Sequence, residues 1–150
     1  TGMRGSHPGS FELAHDLPAV IADPLQLDQV VVNLVTNACE ALPASGGDVW
    51  ISTGRMEATP EYFAGTVLEP SLPPGEYVYI EVRDSGCGMS AATQARMFDP
   101  YYSTKFAGRG LGLAAVLGIA RAHRGSLAVA SELGAGTTIR VALPRAPAER

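Results

Sequence analysis

The sequence predicts an α/β fold: a mixed, mainly antiparallel sheet with its helices on one face. Three observations predict it. Two segments, 24–42 and 111–123, repeat apolar residues with the period of a helix. Two pairs of strand-like runs, 48–56 with 76–83 and 126–131 with 137–143, are neighbours in sequence, which favours antiparallel pairing. Helices and strands alternate along the chain, so the helices have a sheet to cover. The 150 residues amount to one domain, long enough for a buried core. With 46% hydrophobic and 17% charged residues the chain is globular and not disordered. Its net charge of −4 gives no electrostatic reason to bind nucleic acid or an acidic membrane.

Residues 1–9 read as an expression-vector remnant, 10–145 as the folded domain and 146–150 as a C-terminal tail. Extended pieces near Phe11–Leu13 and Ala19–Ala22 lead to Asp23-Pro24. That pair starts a helix, because Asp caps free N–H groups and Pro lacks only an N–H that the first turn does not use. The helix runs to Leu42, where Pro43 and Ser45-Gly46-Gly47 stop it. Residues 57–75 are long for a hairpin connection and read as a tolerated surface insertion, with a partner-binding loop as the alternative. A glycine turn follows at 84–89, then a short helix at 90–97 and a loop at 99–110. His123 suits the negative end of the second long helix, with Gly125 beyond it. The turn at 132–136 joins the last hairpin. Cys39 and Cys87 make neither a zinc spacing nor a disulfide framework, so reduced thiols in a cytoplasmic protein are expected. No apolar run approaches the roughly 20 residues of a membrane helix.

Four clusters carry chemistry. On the long helix, Leu27, Val31, Leu34, Val35, Ala38 and Leu42 form an apolar face, and Gln26, Gln29, Asn33, Asn37 and Glu40 form a polar stripe. Asn is a poor residue inside a helix. Asn33 and Asn37, one turn apart, offer hard oxygens suited to Mg²⁺ or its waters; a solvated polar face is the other reading. Asp84-Ser85-Gly86-Cys87-Gly88 follows a strand, where a carboxylate can accept from an amino group such as the exocyclic amine of adenine. Gly86 and Gly88 let the backbone pass close to a flat base, although an ordinary Asp/Gly turn has the same letters. Gly108-Arg109-Gly110-Leu111-Gly112 opens a helix, a place for phosphate. Met97–Lys105 precedes it and ends on the sole lysine of the chain, a cation able to neutralise a terminal phosphate.

In this order the clusters resemble the asparagine, first-glycine, phenylalanine and second-glycine boxes of histidine kinase catalytic domains, within the superfamily that includes gyrase, heat-shock and mismatch-repair ATPases. The asparagine box is Gln29–Ala41. The first glycine box is Asp84-x-Gly86-x-Gly88. The phenylalanine box is Phe98–Lys105, with Tyr101-Tyr102 where relatives commonly carry two Phe, and the second glycine box is Gly108–Gly112. Gly134-Ala135-Gly136-Thr137-Thr138 resembles the closing Gly-Thr element. The resemblance spans roughly residues 11–144. It implies a two-layer α/β sandwich, the Bergerat ATP-binding fold. It also implies ATP and Mg²⁺ as ligands, with Asp84 on the adenine amine and Thr137 nearby through water. Asn37 would be the main Mg²⁺ ligand with Asn33 beside it. Gly108, Gly110 and Gly112 would cradle the phosphates and Lys105 would approach the terminal one; Thr104 and Leu111 complete the nucleotide set.

Position 33 decides the subclass. The gyrase and heat-shock branches and the anti-sigma serine kinases usually place a glutamate base there; Asn33 cannot act as a base. A neutral histidine is already a nucleophile and needs less help from this domain. The implied reaction is transfer of the ATP γ-phosphoryl group to a histidine on a separate, dimeric helical-hairpin domain, with a response-regulator receiver domain downstream. The short stretch from Lys105 to Gly108 resembles the nitrogen-regulation subtype. His7, His15 and His123 do not fit the acceptor pattern, so this chain, expected to be a monomer, should not label itself. The rivals are an anti-sigma-type serine kinase and a nucleotide-sensing module without transfer.

Overall fold

The structure, a computed structural model, describes residues 9–12, 17–67, 72–99 and 112–146. The element order is β1 (Gly9–Glu12), α1 (Pro24–Ala41), β2 (Val49–Ala58), α2 (Pro60–Ala64), β3 (Gly75–Asp84), α3 (Ala91–Arg96), α4 (Gly112–Ala122), β4 (Ser126–Glu132) and β5 (Gly136–Pro144). They build a 5-stranded sheet of order β1-β2-β3-β5-β4. Strands β2, β3, β5 and β4 pair antiparallel, whereas β1 lies parallel to β2, with Gly9 opposite Val49. The sheet is therefore mixed and mainly antiparallel, as expected.

The helices begin where short polar side chains take up free N–H groups. Asp23 accepts from the Leu25 N–H at 2.9 Å and Pro24 fills the first turn of α1. Ser90 does the same for α3 through the Thr93 N–H. At the far end of α4, Arg124 takes the left-handed conformation and the Gly125 N–H reaches back to the Ala120 carbonyl at 2.8 Å, a Schellman closure.

One core lies between the sheet and the two long helices. Val30, Leu34 and Ala38 of α1 and Val116 and Ala120 of α4 meet Val49, Ile51, Val82, Leu127, Ile139 and Val141. Strand alternation sends these sheet residues to a single face. In the run Val30-Val31-Val32, Val30 turns fully inward, Val31 is half-buried and Val32 is exposed. The inward line of α1 is thus centred one residue earlier than the sequence suggests.

The segment after β2 corrects the surface-insertion reading. Thr59 caps α2 by accepting from the Tyr62 N–H, and Pro60 occupies its first turn. Phe63 becomes fully buried against Ala58, Tyr77 and Ala142 on the opposite sheet face. Its ring meets that of Tyr77 edge-on, with centroids 5.3 Å apart. Beyond α2, the Val67 N–H donates to the Leu127 carbonyl at the outer edge of β4. Elsewhere this face carries two stacked pairs, Arg83 over Trp50 and Arg140 over Tyr79, and Arg140 also pairs with Glu81 at 2.8 Å.

Candidate nucleotide-binding site

Asp84 ends β3 with only 4% of its surface exposed, and its register partner on β5 is Thr137. Its Oδ1 accepts the Gly86 N–H at 2.8 Å, so the chain folds back over its own carboxylate. Burial pushes this carboxyl above the usual aspartate range, against the pull of the Gly86 and Thr137 backbone N–H groups. Desolvation wins because two neutral donors replace only part of a hydration shell.

The glycine turn after Asp84 is clamped on both sides. A side chain on Gly86 would run into the Ala41 carbonyl at the end of α1, and the Cys87 N–H donates to that carbonyl at 3.2 Å. On the other side the Cys87 carbonyl accepts the Gly134 N–H at 2.8 Å. Gly88 adopts φ of 70°, and a side chain there would run into the Glu132 carbonyl, so the position favours glycine. Both cysteines are free thiols. Burial pushes the Cys39 thiol up, with Glu40 and Asp84 adding to the effect.

Ser131 is a residue that the sequence reading missed. Its Oγ accepts the Met89 N–H at 2.8 Å and lies 2.7 Å from Thr137 Oγ1. Gln94 of α3 donates to the Met89 and Ser131 carbonyls, at 3.1 and 3.3 Å. The available signal was alternation: Leu127, Val129 and Ser131 share the inward face of β4, and a serine there faces polar company.

At the other end of the site α1 meets α4. Asn33 Nδ2 donates to the Gly112 carbonyl at 3.0 Å, and Asn33 Oδ1 accepts from Gln29 at 2.8 Å. Asn37, half-buried, follows one turn later. Asn33 and Ala41 are eight residues apart, about 12 Å along a helix, so α1 spans from the start of α4 to the Asp84 turn with Asn37 midway. Among the described residues, Asp84, Gly86, Gly88 and Thr137 cluster at one end and Asn33 and Gly112 at the other. Thr104, Lys105, Gly108, Gly110 and Leu111 lie outside the described residues, as do Tyr101 and Tyr102. Phe98, at the start of that stretch, packs against the core. No group of three or more His, Cys, Asp or Glu side chains able to hold a metal occurs among the described residues.

Residues 22–147 match the family described as histidine kinase-, DNA gyrase B-, and HSP90-like ATPase. The chain belongs to this ATPase family. Sensor kinase CckA of Brucella abortus is 39% identical over 132 residues, which is 87% of this chain and 14% of that protein. Sensor histidine kinase ZraS of Escherichia coli is 38% identical over 134 residues, 89% of this chain and 25% of that one. The chain therefore spans a quarter or less of these relatives. The crystal structure of full-length ShkA in complex with AMPPNP superposes with a TM-score of 0.71 at 27% identity, over 95% of this chain and 26% of that chain. The catalytic domain of histidine kinase ThkA, free of nucleotide, gives 0.70 at 25% identity over 93% of this chain and 80% of that one. Within the family, this chain is an ATP-binding catalytic domain of the sensor histidine kinase kind, and its fold is the two-layer α/β sandwich. No helix among the described residues is long and apolar enough to cross a membrane.

Proposed function

We propose that this domain binds ATP between α1, α4 and the Asp84 turn and donates its γ-phosphoryl group to a histidine on a helical-hairpin domain outside the chain. The observation that carries the reading is Asn33. Where the water- and serine-activating relatives hold a base, this side chain is an amide already engaged with Gln29 and the Gly112 carbonyl. An amide cannot take a proton from water or serine, so the acceptor must be a nucleophile in its own right, as neutral imidazole is. What the domain supplies is position and charge compensation.

In this reading the Asp84 carboxylate accepts from the adenine amine and Thr137 lies beside it. The described side chains near Asn37 form no acidic cluster, which suits Mg²⁺ held mainly by the triphosphate. Asn37 would supply an oxygen to the ion, with Asn33, whose Oδ1 is shared with Gln29, beside it. Bound Mg²⁺ would neutralise charge on the phosphates. Gly112, at the first turn of α4, would face them together with Gly108 and Gly110. Thr104, Lys105 and Leu111 would complete the nucleotide contacts, Lys105 meeting the terminal phosphate. A receiver domain as the next acceptor, the nitrogen-regulation subtype and a cytoplasmic location belong to the same proposal, as does 10–145 as the extent of the domain.

The test is phosphotransfer in trans. Labelled ATP and the 150-residue chain alone should give no acid-labile phosphate on the chain, whereas adding the kinase's own hairpin domain should produce phosphohistidine on the hairpin. Label on a serine of an added protein, or transfer to neither, would overturn the proposal. Asp23 and Ile119 support the negative half of this result: they hold His123 by both ring nitrogens, at 3.1 and 2.8 Å.

A further inference from the structure

A serine hydroxyl has one proton to give. Ser131 Oγ accepts the Met89 N–H at 2.8 Å, lies 3.2 Å from the Gly136 carbonyl and 2.7 Å from Thr137 Oγ1. The N–H can only donate and the carbonyl can only accept. Only one proton arrangement makes all three contacts hydrogen bonds at once: Ser131 donates to Gly136, and Thr137 donates to Ser131. Thr137 then has no proton left for anything else it meets and presents lone pairs alone.

We propose that Ser131 is a specificity-determining residue that fixes Thr137 as a hydrogen-bond acceptor and so selects a base carrying an amine over one carrying a carbonyl. The inference rests on the reading that Asp84 and Thr137 face the base. These two residues are register partners on β3 and β5, so their acceptors stand side by side. Two acceptors, Thr137 reaching the base through a bridging water, match an exocyclic amine and repel a carbonyl oxygen such as that of hypoxanthine or guanine. Asp84 is an acceptor by its charge. Thr137 is ambivalent by nature and becomes one through Ser131. The same serine is held in place from α3, where Gln94 donates to its carbonyl.

Calorimetric titration of the whole chain with ADP and with inosine diphosphate tests this. Wild-type chain should prefer ADP. Ser131→Ala frees the Thr137 proton and should shrink that preference about tenfold, the size of one hydrogen bond turned from favourable to unfavourable. Ser131→Thr, which keeps the hydroxyl, should retain it. Thr137→Val should shrink the preference alike, and the double variant Ser131→Ala/Thr137→Val should lose no more than either single one, since both act on one proton. If Ser131→Ala folds poorly, Thr137→Val and Ser131→Thr still report on the same proton. Equal losses for ADP and inosine diphosphate in Ser131→Ala, with the ratio intact, would make Ser131 a structural residue and overturn the proposal. A wild-type chain without preference between the two ligands would instead overturn the reading of Asp84 and Thr137 on which it rests.

Discussion

At the scale of single residues the site holds one costly group. Asp84 is buried with its pKa above the unfolded value, so ionising it costs folding free energy. Its contribution to stability is fully present below the unfolded pKa and is lost as pH rises through the folded one. Asp84→Asn keeps an oxygen for the Gly86 N–H and removes the charge, so at neutral pH the ligand-free variant should melt no lower than the parent. Its affinity for ATP should fall by about 1.5–3 kcal/mol, the scale of a hydrogen bond to a charged group. Wild-type affinity should also decline on acidification, beginning above the ordinary aspartate range, and the variant should lack that slope; calorimetry across pH checks both. Asp84, Gly86 and Gly88 are legible in the sequence because their chemistry is local, a carboxylate and two glycines within five residues. Ser131 is legible only as an inward-facing serine on β4, because Met89 and Thr137 reach it through the fold.

At the scale of elements, the two long helices and the four antiparallel strands follow from periodicity, and their ends from Asp23-Pro24, Pro43 and Gly125. Helix α2 was hidden for a physical reason. Five residues show no helical period, and their Pro and Gly neighbours read as loop punctuation, although Thr59-Pro60 is the same cap-and-proline start that opens α1. Strand β1, expected near Phe11–Leu13, runs Gly9–Glu12 and takes in Gly9 from the stretch read as a vector remnant; its parallel pairing needs partners some forty residues away and leaves no local mark. Phe63→Ala should cost about 3–5 kcal/mol in denaturant unfolding, as for a fully buried aromatic ring; a loss near zero would restore the surface-insertion reading of 57–75. Helices α1 and α4 are joined at a second place besides Asn33, since His123 Nε2 accepts the Asp23 N–H and Nδ1 donates to the Ile119 carbonyl. His123→Ala should therefore lower stability by about 1–2 kcal/mol, two hydrogen bonds' worth, and leave transfer to the hairpin domain intact in the trans assay.

For the whole molecule, the site is a seam. Helices α1 and α4 and the β3–β5 end of the sheet meet there, and the links among them join residues far apart in sequence: Gly112 to Asn33, Cys87 to Ala41, Gly134 to Cys87. Nucleotide binding should therefore tighten the molecule as a unit, seen as slowed amide hydrogen exchange in both α1 and β5 on adding ATP with Mg²⁺. The outer flank of β4 has a different consequence. An exposed strand invites another chain to hydrogen-bond alongside it, the route to stacked sheets and insoluble fibres. Here the Leu127 carbonyl is taken by the Val67 N–H and the Ser131 carbonyl by Gln94, one near each end. Only the middle of the strand, around Val129, lacks such a guard among the described residues, too short a run for a second β-strand to grip. The segment that buries Phe63 and the helix that steadies Ser131 thus also keep the sheet from growing past β4, and sedimentation at high concentration should find no association that is lost when β4 is shortened.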